Sequence, residues 1–446
     1  WLERLPDSIK NWESLIELDI SWTRIKELPD SMGNLKNLKL VKMTGSCISK
    51  IPDALWTIEK LEEIKATDNW CLLVKIGNGI YRVPRLRILR LKCAQIYTIP
   101  KLPESLTDLY LSKLDMKTFP DLSNLINLKE LDLRFGPRND DVKSYGLVED
   151  PMPWWIGKFS KLKYLGLECD YVTTLPTDIS LLPQLKTLDL HCSNLRCLPR
   201  LPSSLSSLFL RDCMSLCSMD LSDLEKLSSL MIWSCPISEI RGLDCLENLQ
   251  KLQLSDLGQV KILPDLSDLN ELRSLDVRSC GNLVEIQGKL PQSLEELEIR
   301  SCESLRKLPD LSSLKRLQKI VIEYCMELNV EAILCFAQRS QANLRENLQN
   351  LRISDLGQVE KLLDLSNLNK LSSLDVRSCV NLVEIEGELT QSLKELEIHS
   401  CESLQKLPDV SSLNKRQMID IDDSTKLNVK AIHGSARRNR RRRASS

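Results

Sequence analysis

The sequence predicts an α/β solenoid: a stack of short parallel strands, with short helical or irregular segments on the opposite side. Three observations carry this. Apolar residues recur as L-x-x-L-x-L along nearly the whole chain. Aromatic residues are only 4% of the 446 residues, too few for an ordinary large core, whereas Leu is abundant. The stretch LDVRSCGNLVEI at 275–286 returns as LDVRSCVNLVEI at 374–385, so the chain repeats itself on a longer scale too.

The ladder opens with Leu15, Leu18 and Ile20 and continues through Leu38, Val41 and Met43. Clear members follow, among them Leu106-Leu109-Leu111, Leu185-Leu188-Leu190, Leu249-Leu252-Leu254 and Leu393-Leu396-Ile398. A degraded member, Arg416-Ile419-Ile421, closes it. About eighteen units fit, mostly spaced by about 20–25 residues, which is the period of a leucine-rich-repeat horseshoe. In each unit L-x-L is a strand whose Leu side chains point inward and whose x residues point outward onto the concave face. One unit cannot bury its apolar side alone; stacked neighbours do so together.

After the strand comes a turn. Its characteristic residue here is Cys, at 213, 235, 280, 302, 325, 379 and 401. Disulfide partners would not all share one structural position, so these read as reduced core thiols. Cys213 with Cys217, and His191 with Cys192 and Cys197, lack the paired spacing of a zinc site. The far side of many units reads LPDSI, LPDSM, LPDLS or LPTDI. Proline blocks a regular helix, and Asp-Ser or Asp-Leu-Ser suits a short turn with its own cap.

The solenoid is expected over 1–432, with a polar loop insertion at 134–153 and a basic tail, RRNRRRRASS, within 433–446. The tail reads as a solvated end. A second long spacing holds VEAILCFAQRSQANLREN, which reads as a short amphipathic helix. The block 247–332 recurs as 346–431 with about two-thirds identity. Outward positions match as well: Asp276 and Arg278 return as Asp375 and Arg377, and Glu296 and Glu298 as Glu395 and Glu397. We read this as duplication of four repeats. WLERLPDSI opens in the convex part of a unit whose strand is missing, so more chain is expected upstream of Trp1.

Composition narrows the function. Lys plus Arg number 61 against 62 Asp plus Glu, a net charge of −1, and no nucleic-acid partner is expected. No Asn sits in Asn-x-Ser/Thr, and no apolar run is long enough to span a membrane. The sequence contains no GxxxxGK[ST], H-E-x-x-H or G-x-S-x-G. Only three His exist, two of them at outward strand positions. No catalytic constellation, cofactor site or metal site is expected in this chain.

An exposed strand face is what remains. Its outward residues include Tyr110, Arg134, Tyr164, His191, Phe209, Arg211, Met231 and Trp233, with Asp132, Glu168 and Asp189 between them. Aromatics have no core reason to stand at x positions, and Trp, Tyr and Arg are the usual anchors of protein interfaces. These eight are the candidate partner-binding residues. The plainer reading is that a neighbouring loop or domain covers them. Later strands alternate in charge, from Asp276 and Arg278 to Arg377 and Glu397, and read as mutual surface pairing of small energy.

LIELDISWTRIKELPDSMGNLKNLKLVKM resembles the repeats of plant nucleotide-binding leucine-rich-repeat disease-resistance proteins. LPSSLSSLFLRDCMSL and LPQSLEELEIRSCESLRKLPDLSSL are similar to the class with a Toll/interleukin-receptor-like domain, as in flax rust resistance. The resemblance implies a cytoplasmic or nuclear receptor domain. It would sense a pathogen effector or a guarded host protein, and restrain an upstream nucleotide-binding domain in cis. ADP or ATP would bind only in that absent domain. A stand-alone intracellular repeat scaffold is the alternative, and an extracellular ectodomain is a third.

Overall fold

Alternating apolar residues build the parallel strands of the described residues. The structure, a computed structural model, describes residues 3–67, 76–92, 96–116, 118–136, 152–311, 314–328, 347–362, 365, 368–408 and 418–422. The inserted loop core, the expected amphipathic helix and the basic tail lie outside these residues. The chain divides into two compact units, Trp1–Leu216 and Cys217–Ser446.

In the first unit nine described strands follow one another in parallel, from Glu17–Asp19 and Leu40–Lys42 to Thr187–His191 and Ser207–Arg211. The register is that of the repeat: Leu188 pairs with Leu208 and Leu190 with Leu210. The Leu-type positions are sealed inside; Leu109, Leu131, Leu165, Leu188 and Leu208 are at most 1% exposed.

On the opposite side the LPDS-type segments form single 3₁₀ turns, such as Asp7–Asn11, Asp30–Asn34 and Thr177–Leu181. Proline precedes each in extended conformation, and its carbonyl accepts from the amide three residues on, as in Met32 to Pro29 at 3.0 Å. The expected side-chain cap is absent from these turns, because Pro occupies the cap position and Asp, or Thr in Thr177–Leu181, is already the first helical residue. Asp does cap the DLS segments: Asp121, Asp220 and Asp265 each accept from the amide two residues on, at 2.9–3.0 Å. Among the described residues there is no α-helix.

The second unit again stacks nine described parallel strands, from Ser229–Trp233 through Ser274–Arg278 and Ser373–Arg377 to Met418–Ile421. The described residues of the recurring blocks 247–332 and 346–431 form the same elements in both. Each copy has four face strands and a small parallel pair on another edge, Ile262–Leu263 with Glu285–Ile286 and Lys361–Leu362 with Glu384–Ile385.

Leaving the strand, one residue repeatedly turns left-handed. Asp212, Ser234, Asp256, Ser279, Ser301, Tyr324, Asp355, Ser378 and Ser400 all have φ between 47° and 56°. The turn keeps the ladder going for one more bond; the amide of Ser279 donates to the carbonyl of Arg300 at 2.8 Å. It also swings the next residue, the recurrent Cys, into the core. All seven such Cys are buried with free thiols, and each donates to the carbonyl two residues back, as in Cys280 to Arg278 at 3.4 Å. Cys169 and Cys192 are buried as well, directly after their strands and without the left-handed residue.

Candidate interaction surface

Each predicted partner-binding residue stands at an outward strand position. In the first unit six of them, Tyr110, Arg134, Tyr164, His191, Phe209 and Arg211, occupy five successive strands and are half-buried. Side chains between them tie most of this set together. Arg134 lies over the Tyr110 ring, 5.5 Å from its centroid, and grips Asp132 with two bonds of 3.0 and 3.2 Å. The same guanidinium is 3.5 Å from Glu168. The Tyr164 hydroxyl lies 3.3 Å from Asp132 and 3.4 Å from Asp189. Arg211 approaches Asp189 at 3.5 Å, and His191 sits 3.1 Å from Asp212 and 3.9 Å from Glu168. Phe209 is in register with Asp189 and makes none of these polar contacts.

Gly166 makes this crossing possible. It pairs with Asp132 on one side and Asp189 on the other. A Cβ there would meet Asp132 Cγ and the Tyr164 hydroxyl, each at 2.9 Å. A glycine inside a strand often marks a close approach of another group. That signal was legible in YLGLE, together with Arg90, Asp108 and Glu130 upstream, but none of the four stood out from the sequence.

Burial governs the electrostatics. Asp132 is 4% exposed; burial raises its carboxyl above the usual range despite Arg134. Burial and the two flanking carboxylates hold the Tyr164 phenol well above its ordinary value. Burial works against the Arg134 charge, yet Asp132 more than offsets it and keeps the guanidinium protonated. Earlier on the face, Arg90 bridges Asp108 at 3.3 Å and Glu130 at 2.8 Å.

Met231 and Trp233 belong to the second unit, on its strand Ser229–Trp233. They are in register with Gln253 and Ser255, and Trp233 is 50% exposed. Beyond them the face is a continuous chain of ion pairs. Arg278 joins Asp276 and Glu298, Arg300 joins Glu298 and Glu323, and Arg377 joins Asp375 and Glu397. Arg352 stands where the first copy has Gln253; it reaches back 3.9 Å to Glu323 and forward 2.8 Å to Asp375. The mutual pairing expected from the sequence is present, but part of it is not superficial. Asp276, Glu298 and Asp375 are all under 10% exposed, because neighbouring strands crowd their middle outward positions.

Among the described residues no group of His, Cys, Asp and Glu is arranged to hold a metal ion. No described helix is long and apolar enough to cross a membrane.

A family profile described as a leucine-rich repeat region matches residues 152–338. The fold is a leucine-rich-repeat solenoid. The plant peptide hormone receptor RGFR1, solved in complex with RGF2, has a similar fold: TM-score 0.51, 18% identity, 91% of this chain and 72% of that one. So does a TDR receptor, with TM-score 0.50, 18% identity, 95% of this chain and 79% of the other. At such identity the likeness is one of fold. In sequence, the chain is similar to Protein SUPPRESSOR OF npr1-1, CONSTITUTIVE 1 of Arabidopsis thaliana, with 31% identity over 176 residues. That match is 39% of this chain and only 12% of the relative's length.

Proposed function

We propose that this leucine-rich-repeat chain is the recognition domain of an intracellular plant immune receptor. Its outward strand face senses a pathogen effector or a guarded host protein, and it restrains an upstream nucleotide-binding domain. One observation carries the binding role: aromatic and Arg side chains stand at outward positions of successive strands, where the core has no use for them. The Arabidopsis match and the disease-resistance style of the repeats support the immune context. ADP or ATP belongs to the upstream domain in this reading, and no reaction is assigned to the leucine-rich repeats themselves.

The deciding experiment is to sequence the transcript upstream of the Trp1 codon. A frame encoding GxxxxGK[ST] ahead of further repeats is the expected result. A nearby start codon with a capping segment and no such loop sinks the receptor reading and leaves a stand-alone scaffold.

A further inference from the structure

On the first unit's face, a hollow of about 230 Å³ opens beside Tyr164. Tyr110 and Tyr164 line it, together with Asp108, Glu130, Asp132 and Arg90. Two phenol rings and three carboxylates thus surround a single guanidinium, and that guanidinium is shared between Asp108 and Glu130. Asp132 has Arg134, which Glu168 also draws on. Partial desolvation raises the Glu130 carboxyl, and the adjacent Asp108 carboxylate raises it further against the pull of Arg90. The imbalance extends along the face. From the strand Ile88–Leu91 to the strand Ser207–Arg211, alternate outward positions carry five carboxylates against three guanidiniums, besides His191. On the second unit's described strands the outward positions carry a similar excess, eight carboxylates to six cations besides His399, so the two tyrosines rather than the net charge set the hollow apart.

We propose that this hollow receives a lysine or arginine side chain from an extended basic segment of the protein partner. The proposal deepens the reading of this face as a recognition surface and rests on it. A cation there lies against tyrosine rings, whose faces attract it, and meets carboxylates that lack a full complement of positive charge. An acidic segment is repelled by the same groups.

The test uses the whole chain and fluorescence anisotropy with a labelled peptide of about a dozen residues alternating Arg and Ala. A matched peptide of Glu and Ala is the comparison. The Arg peptide should bind and the Glu peptide should not. The double variant Asp108→Asn/Glu130→Gln should weaken binding by about tenfold or more, and Tyr110→Ala should weaken it comparably. Neutralising two exposed acids of the second unit, Glu239→Gln/Asp244→Asn, removes the same charge and should change affinity by less than about twofold. If the double variant fails to fold, Tyr110→Ala decides alone. Equal weakening by the control pair, or unchanged binding in the hollow variants, overturns the proposal. So does a failure of the Arg peptide to bind the native chain. A P-loop found upstream under those outcomes would leave the receptor reading standing and remove only the basic slot.

Discussion

The hydroxyl of Tyr164 occupies the space that a side chain at Gly166 would fill, two residues along the same strand. From there it lies within hydrogen-bond distance of carboxylates on both neighbouring strands. Gly166→Ala should therefore displace the phenol and cost about 1–2 kcal/mol, mostly as lost hydrogen bonding of buried groups. In a Tyr164→Phe background the same alanine should cost less, since one of the two obstructions is gone. Urea denaturation of the four chains measures the coupling. Simple additivity would show that the hydroxyl and the missing side chain are unrelated.

Alkaline pH should reveal the same tyrosine. Its folded-state pKa lies above the ordinary value of 10.0, so above that pH the unfolded chain loses this proton first. The proton count of the unfolded state is then the smaller, and stability falls as pH rises. The contribution is complete below the ordinary value and is lost on the alkaline side. Tyr164→Phe should flatten that limb of the stability curve, and ultraviolet titration of the native protein should lose one late-ionising tyrosine. A titration curve whose late phase survives the substitution would contradict the assignment.

Glu298 and its duplicate Glu397 offer an internal comparison. Burial raises the Glu298 carboxyl, but Lys319, Arg300 and Arg278 together outweigh it and hold the group below its usual range. Its partners lie at 2.6, 3.1 and 3.3 Å. Glu397 pairs with Arg377, and its side chain is 37% exposed. Glu298→Gln should cost about 2 kcal/mol, since cations in a crowded site lose their partner. Glu397→Gln should cost under about 1 kcal/mol. With a lowered folded pKa, the Glu298 contribution is present above the unfolded value of 4.5 and is lost as pH falls below it. The Glu298→Gln variant should thus lose less stability on acidification than the native chain. Equal costs for the two substitutions would mean that burial at position 298 is energetically irrelevant.

Thiol labelling should follow the turn geometry. Cys197, Cys217 and Cys245 are exposed, whereas Cys280, Cys302 and Cys379 are buried at the core side of the left-handed turn. The contact with the Cys280 thiol lowers Cys302, but the contact with Cys325 and burial outweigh it and push the group up to about 12. Brief alkylation of the native protein, read by peptide mass spectrometry, should modify the exposed three well before the buried three. Early modification of Cys280 would be incompatible with the packing described.

The ladder was legible because leucine spacing is a direct record of which side chains must meet. Leu109, Leu188 and Leu208 stand inside as the period requires. The residues of the face were legible for the same reason, by alternation alone. What alternation does not carry is depth. Asp276 and Arg278 look alike as outward residues, yet Asp276 is 7% exposed, since the middle of a strand is crowded from both sides and its end is not. The left-handed residue escaped notice because Ser, Asp and even Tyr324 occupy it where glycine would have announced it. Gly166 shapes the face without showing in the periodicity. Its importance lies in Tyr164 two residues earlier, and a pairwise relation across a strand leaves no periodic trace.

Arg352 has a wider consequence. The two copies of the block join without any change of register: Lys319 faces Asn350 as neighbouring strands face each other elsewhere. The joint differs from the equivalent place in the first copy by a residue that holds an acid on either side. A chain built this way can be lengthened as a ruler is, by whole graduations. Only the marks at the splice need recutting, and the surface offered to other molecules grows without disturbing what is already written on it.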